Sequence, residues 1–161
     1  MARKKNILVT GAAGFIGYFL CDALIKAGHK VVGLDNINNY YDINLKFARL
    51  NELGIKREFA EVFNTMCCSK KFGSQMQFIR MNLEDREALP KLFKQFEFNI
   101  VCNLAAQAGV RHSLENPYVY INSNVLGQVN MLELAKFLKV KKFIYASSSS
   151  VYGGNKILPF S

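Results

Sequence analysis

Two short stretches hold residues able to do chemistry. TGAAGFIG, Thr10 to Gly17, places glycines at 11, 14 and 17, and Asp35 follows 18 residues after the last of them. SSSSVYGGNK, Ser147 to Lys156, holds four hydroxyls and then a phenol and an amine, Tyr152 and Lys156, four positions apart. A phenol beside an ammonium gives up its proton below its ordinary value near 10 and can act as a base. An i, i+4 pair meets on one face only where the intervening backbone is helical. Gly153-Gly154-Asn155 intervenes, and each glycine costs a helix about 1 kcal/mol. That composition reads as a loop, which leaves Tyr152 and Lys156 apart.

The surrounding pattern alternates short apolar runs with helical periodicity. Asn6–Thr10 (NILVT) is a strand buried on both faces. Phe15–Ala27 places Ile16, Phe19, Leu20, Ala23 and Leu24 on one helical stripe, and Gly28 ends it. Lys30–Leu34 is the second strand. A helix is expected within Asn44–Leu53 and another around Arg57–Met66. Gln75–Arg80 is the third strand, and Glu84–Phe96 a helix that Pro90 bends or shortens. Asn99–Leu104 is the fourth strand, Pro117–Leu138 a long helix, and Lys142–Ser147 the fifth strand. Strands separated by helices imply parallel pairing with right-handed crossovers, hence an α/β, doubly wound parallel sheet of the Rossmann type.

The glycine turn stands where such a sheet binds phosphate, with a strand before it, a helix after it and a carboxylate closing the next strand. Gly11 permits the tight turn, Gly14 lets the backbone approach a pyrophosphate, and Gly17 lets the helix pack close to the sheet. The helix amino terminus offers unpaired N–H groups and partial positive charge. Asp35 accepts from adenosine ribose hydroxyls and repels a 2′-phosphate, which selects NAD over NADP. Three glycines serving only a tight turn are the competing reading.

Composition excludes other classes. With 161 residues, half of them apolar, the chain has room for one sizeable core. Cys21, Cys67, Cys68 and Cys102 form no Cys-x-x-Cys, and with only His29 and His112 to add no metal site is expected. Reduced thiols fit a cytoplasmic protein. MARKK followed by ILVTGAAGFIGYFL has the outline of a signal peptide, but the glycine spacing is better explained by the fold. No run approaches the ~20 apolar residues that span a membrane. The net charge of +9 is scattered over Arg3–Lys5, Lys70–Lys71 and Lys139–Lys142, which reads as solvated surface with no nucleic-acid partner.

The spacing Gly-x-x-Gly-x-x-Gly departs from the commoner dinucleotide pattern. VTGAAGFIG resembles the extended short-chain dehydrogenase/reductase family, which includes nucleotide-sugar epimerases and dehydratases. The likeness continues through GLDNINNYYDINLKFARL, LAAQAGVRHSLENPYVYINSNVLGQVNMLE and FIYASSSSVYG. Together these segments are most similar to UDP-glucuronate 4-epimerases; 55–75, with CCSKKFGS, is the least familiar stretch. The resemblance implies that the glycine loop with Phe15 and Ile16 holds the NAD pyrophosphate, and that Asp35 and Asn36 bind the adenosine ribose. Asn82–Leu83 would flank the adenine, with Asn82 in place of the usual aspartate. Leu104, Ala105, Ala106 and Gln107 would run beneath the cofactor, although small residues there also suit plain packing. Asn103 replaces a histidine common among relatives. Asn124 matches a buried asparagine near the active site, and an exposed helical asparagine is the other reading. Arg111 is either a contact to a substrate carboxylate or phosphate, or a solvated arginine.

By the same resemblance, Ser148 matches the catalytic Ser/Thr that hydrogen-bonds the substrate hydroxyl being oxidised, and Ser149 lies beside the sugar. Dehydratases of the family carry Thr-Asp-Glu before VYG, and no such carboxylates stand here. The family's catalytic Tyr-x-x-x-Lys comes further along, on the following helix, so that pair and a smaller carboxyl-terminal substrate domain are expected beyond Ser161. Residues 1–161 would then be an incomplete NAD-binding domain, its sheet truncated after the fifth strand with an exposed apolar edge that promotes aggregation. The implied whole protein is an epimerase that exchanges a hydride with NAD on a UDP-sugar substrate, with a possible homodimer, and this segment alone would lack turnover. A non-catalytic NAD-binding or sensing module is the alternative, with a dehydratase as the third reading.

Overall fold

A computed structural model describes residues 4–160; Met1–Arg3, including the first of the expected basic residues, and Ser161 lie outside the described residues. Six strands form one sheet: β1 (Asn6–Thr10), β2 (Lys30–Asp35), β3 (Met66–Ser69), β4 (Gly73–Arg80), β5 (Ile100–Asn103) and β6 (Lys142–Tyr145). Their spatial order is β3-β4-β2-β1-β5-β6. All neighbours pair in parallel except β3 with β4. The sheet grows outward from β1 in both directions, and Leu8 stands opposite Val32 on one side and Val101 on the other. Helices are α1 (Phe15–Lys26), α2 (Ile43–Glu52), the single turn α3 (Arg57–Ala60), α4 (Ala88–Phe96), α5 (Val110–Glu115), α6 (Pro117–Tyr120) and α7 (Gly127–Phe137).

Strand side chains alternate between two cores, because successive residues point to opposite faces. Ile7, Val9 and Val31 join Cys21, Ile25, Phe47, Leu50 and Phe78 on one face. Leu8, Val32 and Leu34 join Met81, Leu89, Phe93 and Met131 on the other. Both faces are covered, as the near-continuous apolar strands require. All four cysteines are free thiols, and burial pushes Cys67 up to about 11.

The structure corrects the sequence reading at four places. The stretch expected to be helical around Arg57–Met66 is helical only over Arg57–Ala60. Asn64 then adopts a left-handed φ of 54°, and Met66–Ser69 becomes an antiparallel edge strand. Ser69 Oγ closes the turn to β4: it accepts from the Lys71 and Phe72 N–H groups and donates to the Leu53 carbonyl. In α1 the buried positions are Gly17, Cys21 and Ile25, whereas Ile16, Phe19 and Ala23 face outward. The reason lies at Gly17, where a Cβ would sit 2.0 Å from the Gly11 carbonyl oxygen. The helix touches the turn there, which rotates the bulky stripe away from the sheet.

Helix α4 begins at Ala88 rather than Glu84. Asp85 accepts from the Glu87 and Ala88 N–H groups, and Pro90 falls within the first turn, where a missing N–H costs nothing. The long helix is preceded by α5, separated from it at Asn116 (φ −139°, ψ 63°), and is interrupted by a π-helical segment, Ile121–Leu126. Single π turns recur at functional sites.

Candidate functional site

At the carboxyl ends of β1, β2 and β5 the sheet changes direction, and ligands of doubly wound sheets bind in such a crevice. A cleft of about 150 Å³ occupies it. Gly11 and Gly14 form one wall, Asp35 and Asn36 the second, Leu83 a third, and Leu104, Ala105, Ala106 and Gln107 the fourth. These nine expected residues come together from four separate stretches of chain. Gly11 has φ +70°, and a Cβ there would lie 3.0 Å from the Ala105 backbone nitrogen. The glycine turn and the 104–107 segment therefore approach as only glycine permits.

Asp35 is buried, and its carboxylate ties the two halves of the first βαβ unit together. One oxygen accepts from the Ala13 N–H at 3.1 Å, the other from the Ile37 N–H at 2.8 Å. Each oxygen keeps a second lone pair, so ribose hydroxyls can still donate to it. Helix α1 starts at Gly14 with no side-chain cap and no acidic residue in its first turn. Its leading N–H groups are thus available to an anion, and the helix dipole favours one.

Behind the cleft a buried network sets the 104–107 segment. Thr10 Oγ1 accepts from the Leu104 and Ala105 N–H groups, both at 3.0 Å, and donates to Asn103 Oδ1. Asn103 Nδ2 in turn donates to Gln128 Oε1 on α7. Asn103, whose role the sequence left open, thereby links the end of β1 to α7. Asn124, inside the π segment, is a clamp: its Oδ1 accepts from the Gln107 N–H at 2.8 Å and its Nδ2 donates to the Gln107 carbonyl at 2.9 Å. It does not line the cleft, whereas its neighbour Ser123 does.

The other expected residues lie elsewhere. Phe15 and Ile16 are 66% and 64% exposed on the first turn of α1, Gly17 is packed beneath the turn, and Asn82 lies just outside the lining. Arg111 is exposed at the start of α5. Ser148 and Ser149 are exposed beyond β6, where Ser148 Oγ accepts from the Ser150 N–H as it opens a 3-10 turn, Ser149–Tyr152. Gly153 follows at φ +60°, so no helix joins Tyr152 to Lys156, and the Tyr152 ring stacks on Phe160 instead.

Sequence reasoning missed Asn38, Tyr40, Tyr41, Lys46, Glu84 and Ser123, all of which line the cleft. For Lys46 a signal existed. It shares a helical face with Ile43, Phe47 and Leu50, and a lysine inside an apolar stripe is out of place unless something holds its charge. Tyr40 reaches across the mouth, its ring 5.0 Å from His112 and its hydroxyl against Gly109. Tyr120 donates from the other side to the Ala108 and Gly109 carbonyls. Among the described residues no cluster of metal-ligating side chains occurs, and no helix is long and apolar enough to cross a membrane.

A family model described as the NAD dependent epimerase/dehydratase family matches residues 7–161. Protein CapI of Staphylococcus aureus is 46% identical over 97% of the chain, which spans 41% of that relative's length. UDP-glucuronate 4-epimerase of Thermodesulfobacterium geofontis is 43% identical over 91% of the chain, and 40% of that relative is covered. Among solved structures, a UDP-glucose-4-epimerase from Stenotrophomonas maltophila with bound NAD and formylated UDP-arabinopyranose superposes with a TM-score of 0.72. Its identity is 26%, over 96% of this chain and 40% of the other.

Proposed function

Because the chain belongs to the NAD-dependent epimerase/dehydratase family, we propose that this segment is the dinucleotide-holding part of a nucleotide-sugar 4-epimerase acting on a UDP-sugar of the UDP-glucuronate type. The observation that carries the reading is the Asp35 carboxylate, hydrogen-bonded to the glycine turn at Ala13 and lining the cleft. Bound there, NAD supplies a reversible hydride acceptor, which an epimerase needs to flatten and rebuild one carbon of the sugar.

The chain's own residues supply the hold. Asp35 accepts from the adenosine ribose, with Asn36 beside it, and its negative charge opposes a 2′-phosphate. The uncapped start of α1, with Phe15 and Ile16, receives the pyrophosphate. Leu83 and the neighbouring Asn82 border the adenine. Leu104 to Gln107, fixed by Thr10 and Asn124, form the surface under the nicotinamide half. Ser148, Ser149 and Arg111 do not line the cleft, and their roles toward the sugar belong to the whole protein. No phenol and ammonium share a helix face near the cleft among the described residues. On this reading the segment's part is to hold the cofactor, and no turnover is expected of it alone.

Calorimetric titration of the purified 161-residue chain with NAD and NADP tests this. NAD binds and NADP binds at least about 10-fold more weakly, since repulsion at Asp35 outweighs any gain from the phosphate. Incubation with UDP-glucuronate and NAD gives no C4 inversion. A preference for NADP would remove the assigned role of Asp35.

A further inference from the structure

A second cavity lies at the opposite end of the sheet from the cofactor cleft, where α4 and α7 finish and the chain enters β5 and β6. It measures about 490 Å³, inside the ~300–1,000 Å³ range of small-molecule sites. Phe93, Phe98, Leu138 and Val140 make an apolar floor, and the rings of Phe93 and Phe98 meet edge to face at 5.3 Å. Around the floor stand Lys94, Lys139 and Lys141, with Glu97 as the one acid. None of these four charges is in an ion pair; the salt bridges among the described residues all lie elsewhere. Asn99 adds a neutral donor to the same wall. Its Oδ1 accepts from the Asn6 N–H at 2.9 Å, and its Nδ2 has no partner among the described residues. The Asn99 carbonyl accepts from the Lys141 N–H at 3.1 Å, which keeps the two residues side by side.

Lysines near a helix carboxyl terminus also complement the macrodipole, and that is the competing reading. It accounts for Lys94, in the last turn of α4. It does not account for Lys141, which lies outside both helices, nor for the backbone of the rim. Glu97 and Lys139 take left-handed φ values of 44° and 54°, just past α4 and α7, where glycine turns at least cost. Side chains are kept there against the backbone's preference, and both belong to the rim. Strain of this kind gathers at binding sites. The helix ends also limit the charge a ligand can carry. Their last carbonyls bear partial negative charge, which weighs against a compact polyanion such as phosphate and leaves room for a single carboxylate.

We propose that this cavity binds a small organic carboxylate: its apolar ring lies on the Phe93, Phe98, Leu138 and Val140 floor, and its charge meets the Lys139 and Lys141 ammoniums, with Asn99 Nδ2 donating beside them. Nine residues line the cavity, whereas a protein partner takes about 20–30 residues a side, so the occupant is a small molecule. The site is separate from the dinucleotide cleft and stands or falls without it.

The test titrates the purified 161-residue chain with 2-naphthoate and with the uncharged 2-naphthamide, followed through amide resonances. Naphthoate binds with Kd on the order of 1 mM or tighter. It shifts the Phe98, Asn99, Lys139 and Lys141 amides together, and naphthamide binds about 10-fold more weakly. Lys139→Gly and Lys141→Gln each weaken naphthoate about 2- to 5-fold, the range of an exposed ion pair, and the double variant erases the preference for naphthoate. Lys139→Gly also relieves the left-handed backbone, so it melts no lower than wild type, which separates lost binding from lost folding. Equal binding of the two compounds, or a double variant that keeps the wild-type preference, would overturn the proposal. So would the absence of saturable shifts in folded protein, or shifts spread over the exposed rings of α1 and Tyr145. None of these outcomes touches the dinucleotide site.

Discussion

At the residue scale, the site depends on small polar side chains that hold backbone in place. Thr10 is the clearest case, since one hydroxyl serves the Leu104 and Ala105 N–H groups and Asn103 at once. Thr10→Val keeps the shape and leaves these groups buried without partners. Each unsatisfied group costs about 1–3 kcal/mol, so the substitution destabilises by about 2–4 kcal/mol in urea titration; a loss under ~1 kcal/mol would mean that the 104–107 segment finds other partners. The turn at Gly11 and the close packing at Gly17 were legible in sequence because spacing alone constrains them. The roles of Thr10, Asn103 and Asn124 were not. Their partners lie up to 95 positions away, and no local pattern tells a buried clamp from an exposed asparagine. Asn124 stood out only through resemblance, and the geometry makes it a clamp on Gln107 rather than a cleft wall.

At the element scale, the regular parallel strands followed from their apolar runs, whereas errors gathered where a cap or turn overrode periodicity. The spacing of Phe59, Val62, Phe63 and Met66 suits a helix, yet Asn64 turns left-handed and its N–H donates to the Arg80 carbonyl, starting an edge strand. Helix α4 starts late because Asp85 caps it. The Ala88 N–H bond, with those of Glu87 and Asn64 and the charge of Lys91, holds Asp85 below the ordinary carboxylate range against some desolvation. A carboxyl depressed in the folded state stabilises above its unfolded value, about 3.9, and that gain is lost as pH falls through the folded value. Asp85→Ala therefore costs about 1 kcal/mol at neutral pH. The gap between wild type and variant closes as pH drops below ~3.9. Urea titrations at several pH values check this, and a gap that widens in acid would contradict the cap.

At the scale of the whole molecule, the sheet ends on one side at β6, which carries Ile144 and Tyr145 more than half exposed. The outward face of α1 adds Phe15 and Phe19, ring to ring at 5.5 Å. An unpaired apolar edge and a contiguous apolar helix face both favour association. The isolated segment therefore self-associates at micromolar concentration, visible as a concentration-dependent mass in light scattering; a monomer at all concentrations with a sharp melt would count against this. The chain spans about 40% of the curated relatives it matches. The glycine turn and Asp35 were readable because one βαβ unit holds both, whereas Leu83 and Leu104 to Gln107 reach the same cleft from outside that unit. Ser148, Ser149 and Arg111 are exposed and do not line the cleft, so no local pattern showed what they meet.

The claim at the centre is that the glycine turn and the carboxylate ending β2 grip one adenine dinucleotide. Amide resonances followed by nuclear magnetic resonance during NAD addition test it directly. The Ala13 and Ile37 N–H groups that donate to Asp35, and the leading amides of α1, shift together and saturate, while the Asp85-capped amides Glu87 and Ala88 stay still. Saturable shifts confined to other regions, or none in folded protein, would contradict the account.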